Sequence, residues 1–237
     1  MRRSSILFAL LATVAAATPA VAGPVALPSP WDGFGEGSWV IQKTTNKQVG
    51  DDAATAESTQ RITLTKITEQ AYTLKTEIKV GEEWSGSEYE MPRAYRDPTQ
   101  AKTDAPKPED LGAETLTVDG ASIECKKTKV VAAGSTSISW TNEKYGVVKN
   151  ETTGPAGDSK TELVKLKGVV KVKGKDVECQ VTKTSFKSPS MENVSTTWAS
   201  PSIPGGLVRA ETSLKIVVGD AKTESTSVME VADFEKK

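Results

Sequence analysis

Histidine is missing from all 237 residues. That absence excludes Ser-His-Asp and Cys-His nucleophile pairs, imidazole metal sites and every histidine general base, the commonest proton-transfer group in enzymes. Cysteine is nearly as scarce: Cys125 and Cys179 are the only two. Two are too few for a disulfide-built scaffold, so a hydrophobic core must carry most of the stability. Helical patterning is lacking as well, because no stretch beyond residue 22 repeats apolar residues at three-and-four spacing. Carboxylate, lysine or serine chemistry is left open by composition, but no motif points to it. The sequence therefore reads as a protein that is not an enzyme, with no cofactor and no metal.

One long apolar run is present, at the start. Arg2 and Arg3 precede an apolar stretch from Ile6 to Ala17, and small residues end at Ala20-Val21-Ala22. These three parts predict an export signal over residues 1–22, cleaved before Gly23. The run is short of the roughly 20 apolar residues that span a membrane, so no stable span is expected after cleavage. No cysteine follows the cleavage point to carry a lipid. The expected location is secreted or periplasmic. Loss of the leader leaves 28 basic against 31 acidic residues, a net charge of −3. Nucleic-acid binding usually demands a basic excess, so no nucleic-acid partner is expected.

What the mature chain does have is period two. Tyr72, Leu74, Ile78 and Val80 fall on one face of a segment whose other face carries Thr73, Lys75, Glu77 and Lys79, the pattern of a half-buried strand. Val164, Leu166, Val170 and Val172 alternate with lysines, and Leu214, Ile216 and Val218 repeat the pattern more briefly. Asp119-Gly120, Lys173-Gly174, Pro204-Gly205-Gly206 and Gly219-Asp220 punctuate these runs at hairpin intervals. Two stretches break the pattern. Residues 23–36, rich in Pro and Gly, read as an extended lead-in, and residues 92–112, polar with four prolines, read as an exposed insert.

The chain also repeats itself. Val118–Cys125 lies on Val172–Cys179 without a gap, and Trp140 followed by Gly146-Val147-Val148-Lys149 matches Trp198 followed by Gly206-Leu207-Val208-Arg209. Glu151-Thr152 then answers Glu211-Thr212, and Thr161-Glu162 answers Thr223-Glu224. A third copy starts at Trp39-Val40. The repeat spans 114–171 and 172–234, and each unit reads as a β-meander unable to bury its apolar face alone. The expected fold is all-β and antiparallel: one domain over 37–237 whose meanders extend a large curved sheet, half-barrel or barrel, with a two-sheet sandwich as the alternative.

Gly37-Ser38-Trp39-Val40, Val118-x-Gly120 before Cys125, Trp198 ahead of Pro204–Arg209, and the closing Val231-x-Asp233-Phe234-Glu235-Lys236-Lys237 resemble an uncharacterised secreted β-repeat family common in planctomycete-type bacteria. That resemblance implies an exported β-protein and transfers no catalytic residue. More remotely, the architecture is similar to periplasmic lipoprotein-carrier (LolA/LolB-like) half-barrels, which shelter acyl chains under a curved sheet. The helices that plug those half-barrels are not evident here.

Candidate sites follow from position. Cys125 and Cys179 occupy equivalent apolar-facing strand positions, either as a disulfide bracing two repeats or as two buried free thiols. Leu74, Trp140, Val170 and Trp198 are the expected apolar face for a lipid or other amphipathic small molecule, although repeated core anchoring explains the tryptophans with fewer assumptions. Lys165, Lys167, Lys171, Lys173 and Lys175 form a basic outer stripe, read mainly as a solvated strand face. Glu124 and Glu178 recur on the outward face, and Asp51-Asp52 is a loop pair with too few oxygen ligands for Ca²⁺. The expected role is binding on a concave face, with a structural or protein-interaction role in the cell envelope as the alternative. The oligomeric state is not legible.

Overall fold

The computed structural model describes residues 29–49, 53–93, 106–219 and 221–237. The leader, its cleavage point and Asp51-Asp52 lie outside the described residues. Thirteen strands follow in chain order: β1 (Trp39–Val49), β2 (Thr55–Ile67), β3 (Ala71–Val80), β4 (Glu83–Pro92), β5 (Glu109–Val118), β6 (Ala121–Ala132), β7 (Ser135–Asn142), β8 (Gly146–Thr153), β9 (Asp158–Val172), β10 (Lys175–Lys187), β11 (Met191–Ala199), β12 (Leu207–Val218) and β13 (Ala221–Glu235). The described residues form no helix. Of the exposed insert expected over 92–112, Pro92 ends β4 and residues 109–112 open β5 as exposed strand, while residues 94–105 lie outside the described residues.

All thirteen strands belong to one antiparallel sheet in the order β4-β3-β2-β1-β13-β12-β11-β10-β9-β8-β7-β6-β5. Neighbours in sequence pair as hairpins, except that β4 and β5 stand at opposite edges and β1 is zipped to β13. Short turns make this meander possible. Asp119-Gly120 and Lys173-Gly174 have positive φ at both positions, 52° and 79° in one and 49° and 75° in the other, the conformation that matches the twist of a two-residue hairpin.

The sheet is curved and unclosed, neither a barrel nor a sandwich. Its curvature shows in contacts of β9 with both β5 and β13, each four ladder steps away, about 19 Å in a flat sheet. Register shifts at Trp140/Thr141 and Trp198/Ala199, repeated in the two meanders, insert one extra residue into β8 and β12 and bend them.

Two cores result. One gathers Val118, Ile123, Cys125, Trp140, Val148 and Leu163 from β5 to β9. The other gathers Val40, Leu64, Tyr72, Leu74, Val172, Val177, Cys179, Val208 and Val231, closed over by Trp31 and Phe34 from the lead-in and Ile203 from the β11–β12 loop. Residues 29–36 of the lead-in are thus a packed plug rather than the extended segment that their Pro/Gly content suggests. Two aromatics that follow no period supply a face that periodicity cannot see.

Pairing also relocates one repeat landmark. Lys149 stands opposite Glu162, and its counterpart Arg209 stands opposite Glu230. Glu162 therefore corresponds to Glu230, not to Glu224, and Leu163 and Val231 are buried alike just beyond. The alternation expected along β3 also fails in its second half. Tyr72 and Leu74 are buried, but Ile78 and Val80 are exposed and Glu77 is 5% exposed.

Candidate functional site

A groove of about 410 Å³ opens between the end of β9 and the strands β11 to β13, lined by Val169, Val170, Lys171, Trp198, Arg209, Glu211, Glu230 and Val231. Register assembles it. Trp198 lies directly opposite Arg209, and Arg209 directly opposite Glu230; residues paired across antiparallel strands share a face. Glu211, two residues along β12, joins the same face by alternation.

The Arg209 guanidinium lies 5.4 Å from the centre of the Trp198 ring. Its Nε donates to Glu211 at 3.0 Å, a second nitrogen also donates to Glu211, and a third reaches Glu230 at 2.6 Å. On the opposite wall the Lys171 ammonium is held by Asp176 at 2.7 Å. The groove therefore offers an indole, Val170 and Val231 as apolar surface beside a guanidinium already bound by two carboxylates.

The same design appears in the preceding meander, filled. Lys127, Trp140, Lys149 and Glu162 stand opposite one another across β6 to β9, where Val181, Trp198, Arg209 and Glu230 stand across β10 to β13. Lys127 and Lys149 lie 4.9 Å and 4.5 Å from the Trp140 ring centre. Their ammoniums are taken by Glu114 at 2.8 Å and Glu151 at 2.9 Å. The Lys127 ammonium in turn holds the Glu114 carboxyl below its ordinary value.

Of the four residues expected to form one ligand face, the structure brings two together, Val170 and Trp198. Leu74 is buried in the larger core, and Trp140 is buried in the other one. Sequence reasoning missed Arg209, Glu211 and Glu230. A signal was present, since Lys149 with Glu151 and Arg209 with Glu211 recur at the same two-residue spacing in the repeat.

Cys125 and Cys179 are free thiols in separate cores. The bracing disulfide is not formed, because equivalent positions of successive meanders lie four strands apart, well beyond the roughly 4.4 to 6.8 Å Cα separation of a bridge. Each thiol donates to the carbonyl two residues back, at 3.6 and 3.5 Å. Burial, with a smaller push from Glu114 or Glu178, raises both thiol pKa values, which suppresses the reactive thiolate. The native protein is expected to release no colour with Ellman's reagent and to titrate two thiols once unfolded. Rapid reaction of the native protein would contradict this placement.

The basic outer stripe is largely neutralised: Lys167, Lys171 and Lys173 meet Glu178, Asp176 and Asp233 at 3.8, 2.7 and 2.6 Å. Glu178 is thereby an ion-pair partner on the outer surface.

No protein-family model and no curated protein matches the sequence. Among solved structures, the chain is similar to a LolA superfamily protein of Nitrosomonas europaea, at 8% identity over 86% of this chain and 88% of that one, with a TM-score of 0.30. It is similar to a DUF1329 family protein of Desulfovibrio piger at 10% identity over 87% of each chain, also with a TM-score of 0.30. A MucA/MucB complex of Pseudomonas aeruginosa follows at 11% identity over 84% and 94%, with a TM-score of 0.19. These likenesses assign no residue and no ligand to this chain.

Proposed function

We propose that this is an exported, non-enzymatic protein that binds an amphipathic small molecule in the Trp198 groove. The observation that carries the reading is the juxtaposition of an indole, Val170 and Val231 with a charged rim, in an opening of about 410 Å³. That volume falls in the usual range of small-ligand sites, about 300 to 1,000 Å³. The leader-like residues 1–22 support an extracytoplasmic location. No helix among the described residues is long and apolar enough to cross a membrane. Against catalysis stand the missing histidine and two buried thiols with raised pKa.

A structural or interaction role in the envelope is favoured by one observation, the two free sheet edges β4 and β5. The β4 edge is acidic, with Glu83, Glu88 and Glu90, and on β5 Glu109, Asp110 and Glu114 are paired with Lys129, Lys126 and Lys127 of β6. Charged residues along both edges blunt uncontrolled strand addition. The groove reading is therefore preferred.

Binding of an apolar fluorophore such as N-phenylnaphthylamine tests it. The intact protein is expected to bind the dye, and Trp198→Ala to weaken binding by at least about tenfold, the loss of roughly 1.4 kcal/mol of aromatic contact. Val170→Ser, a smaller change at the other wall, is expected to weaken it less. Equal dye binding by all three proteins would overturn the groove as the site.

A further inference from the structure

Beside Trp198 two carboxylates share one guanidinium, and the preceding meander shows the fuller arrangement. Around Trp140 the chain supplies three ammoniums and three carboxylates: Lys127 with Glu114, Lys149 with Glu151, and Lys160 with Glu162, at 2.8, 2.9 and 2.8 Å. Of the three equivalent positions around Trp198, one keeps a cation. Arg209 is the counterpart of Lys149, but Val181 stands where Lys127 stood and Val228 where Lys160 stood. The carboxylates Glu211 and Glu230 persist, and both lean on the one guanidinium. Lys43, opposite Glu230 on β1, is exposed and forms no ion pair among the described residues.

We infer that the Trp198 groove selects an amphiphile with a cationic, alkylammonium-type headgroup. This rests on the groove reading above and adds the sign of the ligand's charge. In the first meander the chain plays the ligand itself: the Lys127 stem carries an ammonium onto the Trp140 ring and ends on a carboxylate. In the second, an indole face and two carboxylates sharing one guanidinium present the same attractions to a cation from outside, since a cation is drawn to an aromatic face and to uncompensated carboxylate alike. The Arg209 guanidinium is closed to an anionic headgroup, because all three of its nitrogens already serve carboxylates, which leaves Lys43, on the neighbouring strand, as the free cation nearest the groove among the described residues.

The test is a calorimetric titration of the full chain, below micelle formation, with three amphiphiles of equal chain length: octyltrimethylammonium, octyl glucoside and octyl sulfate. The ammonium is expected to bind about tenfold more tightly than the sulfate, with the glucoside between, and to weaken as salt rises. The Glu211→Gln/Glu230→Gln double variant is expected to lose the preference for the ammonium over the sulfate, whereas Glu192→Gln, outside the groove, keeps it. Equal binding of all three, or a preference for the sulfate, overturns the cationic selectivity and leaves the groove reading standing. Binding of none overturns both.

Discussion

Trp31→Ala is expected to lower folding stability by about 3–5 kcal/mol, the usual cost of truncating a buried tryptophan. The residue lies in a segment whose composition suggests a tether, yet it is 3% exposed and packs edge-on to Phe34, with ring centres 6.5 Å apart. The segment around it is pinned along its length. Tyr72 donates to Asp32, the amide of Gly205 donates to the carbonyl of Pro30 at 3.2 Å, and the amide of Gly35 donates to the carbonyl of Lys237 at 2.8 Å. Such anchoring leaves the plug little freedom to collapse into a cavity left by the indole, which places the cost in the upper part of the range for core truncations. Guanidinium denaturation followed by fluorescence measures it. A loss below about 1 kcal/mol would mean that the lead-in does not cap the larger core.

Glu77→Gln is expected to cost on the order of 2 kcal/mol, and to do so only while the native carboxylate is ionised. Its side chain accepts from Arg61 at 2.9 and 2.7 Å and meets the Lys75 ammonium at 2.9 Å. Gly86 stands opposite on β4, where a side chain would strike the backbone of β3, and the Glu77 side chain is buried. Removing one partner of a buried pair costs about 3–5 kcal/mol when the other is left buried. Here Arg61 and Lys75 are a third or more exposed and can turn to water, which lowers the figure.

The pH dependence has a definite sign. The Lys75 ammonium draws the Glu77 carboxyl below its ordinary value, burial opposes it, and Arg61 adds to the lowering. A carboxylate whose pKa falls on folding contributes stability that is present above the unfolded value, roughly 4.3, and is lost as pH drops through the folded value. The stability gap between the wild-type chain and Glu77→Gln is therefore widest near neutrality and closes in acid. A gap that does not change with pH would show that Glu77 is not held as an ion.

Much of the fold was legible because two signals agreed along the chain. Alternation marked Tyr72 and Leu74 as core, and paired Gly turns at Gly120 and Gly174 set the hairpins. The repeat carried further than alternation, since it aligned Trp140 with Trp198 and Lys149 with Arg209, the residues that build the groove and its filled twin. What escaped is whatever depends on chain segments remote from one another. The zipping of β1 to β13, where the Trp39 indole donates to Glu235 across 196 residues at 2.9 Å, leaves no trace in local spacing. The plug escaped because Trp31 and Phe34 follow no period. Glu77 escaped because alternation assigns it to solvent, whereas the core ends beyond Leu74 and leaves Ile78 and Val80 uncovered. The ligand face was overdrawn for the same reason: alternation says which side chains share a face, not which part of that face the chain itself covers.

The most direct test of the binding account is a native mass spectrum of the protein purified from its own envelope, beside one of Trp198→Ala prepared in the same way. The account requires an adduct of small-molecule mass on the wild-type chain that is lost, or greatly reduced, in the variant. Two bare polypeptide masses, or an adduct carried equally by both, would contradict it.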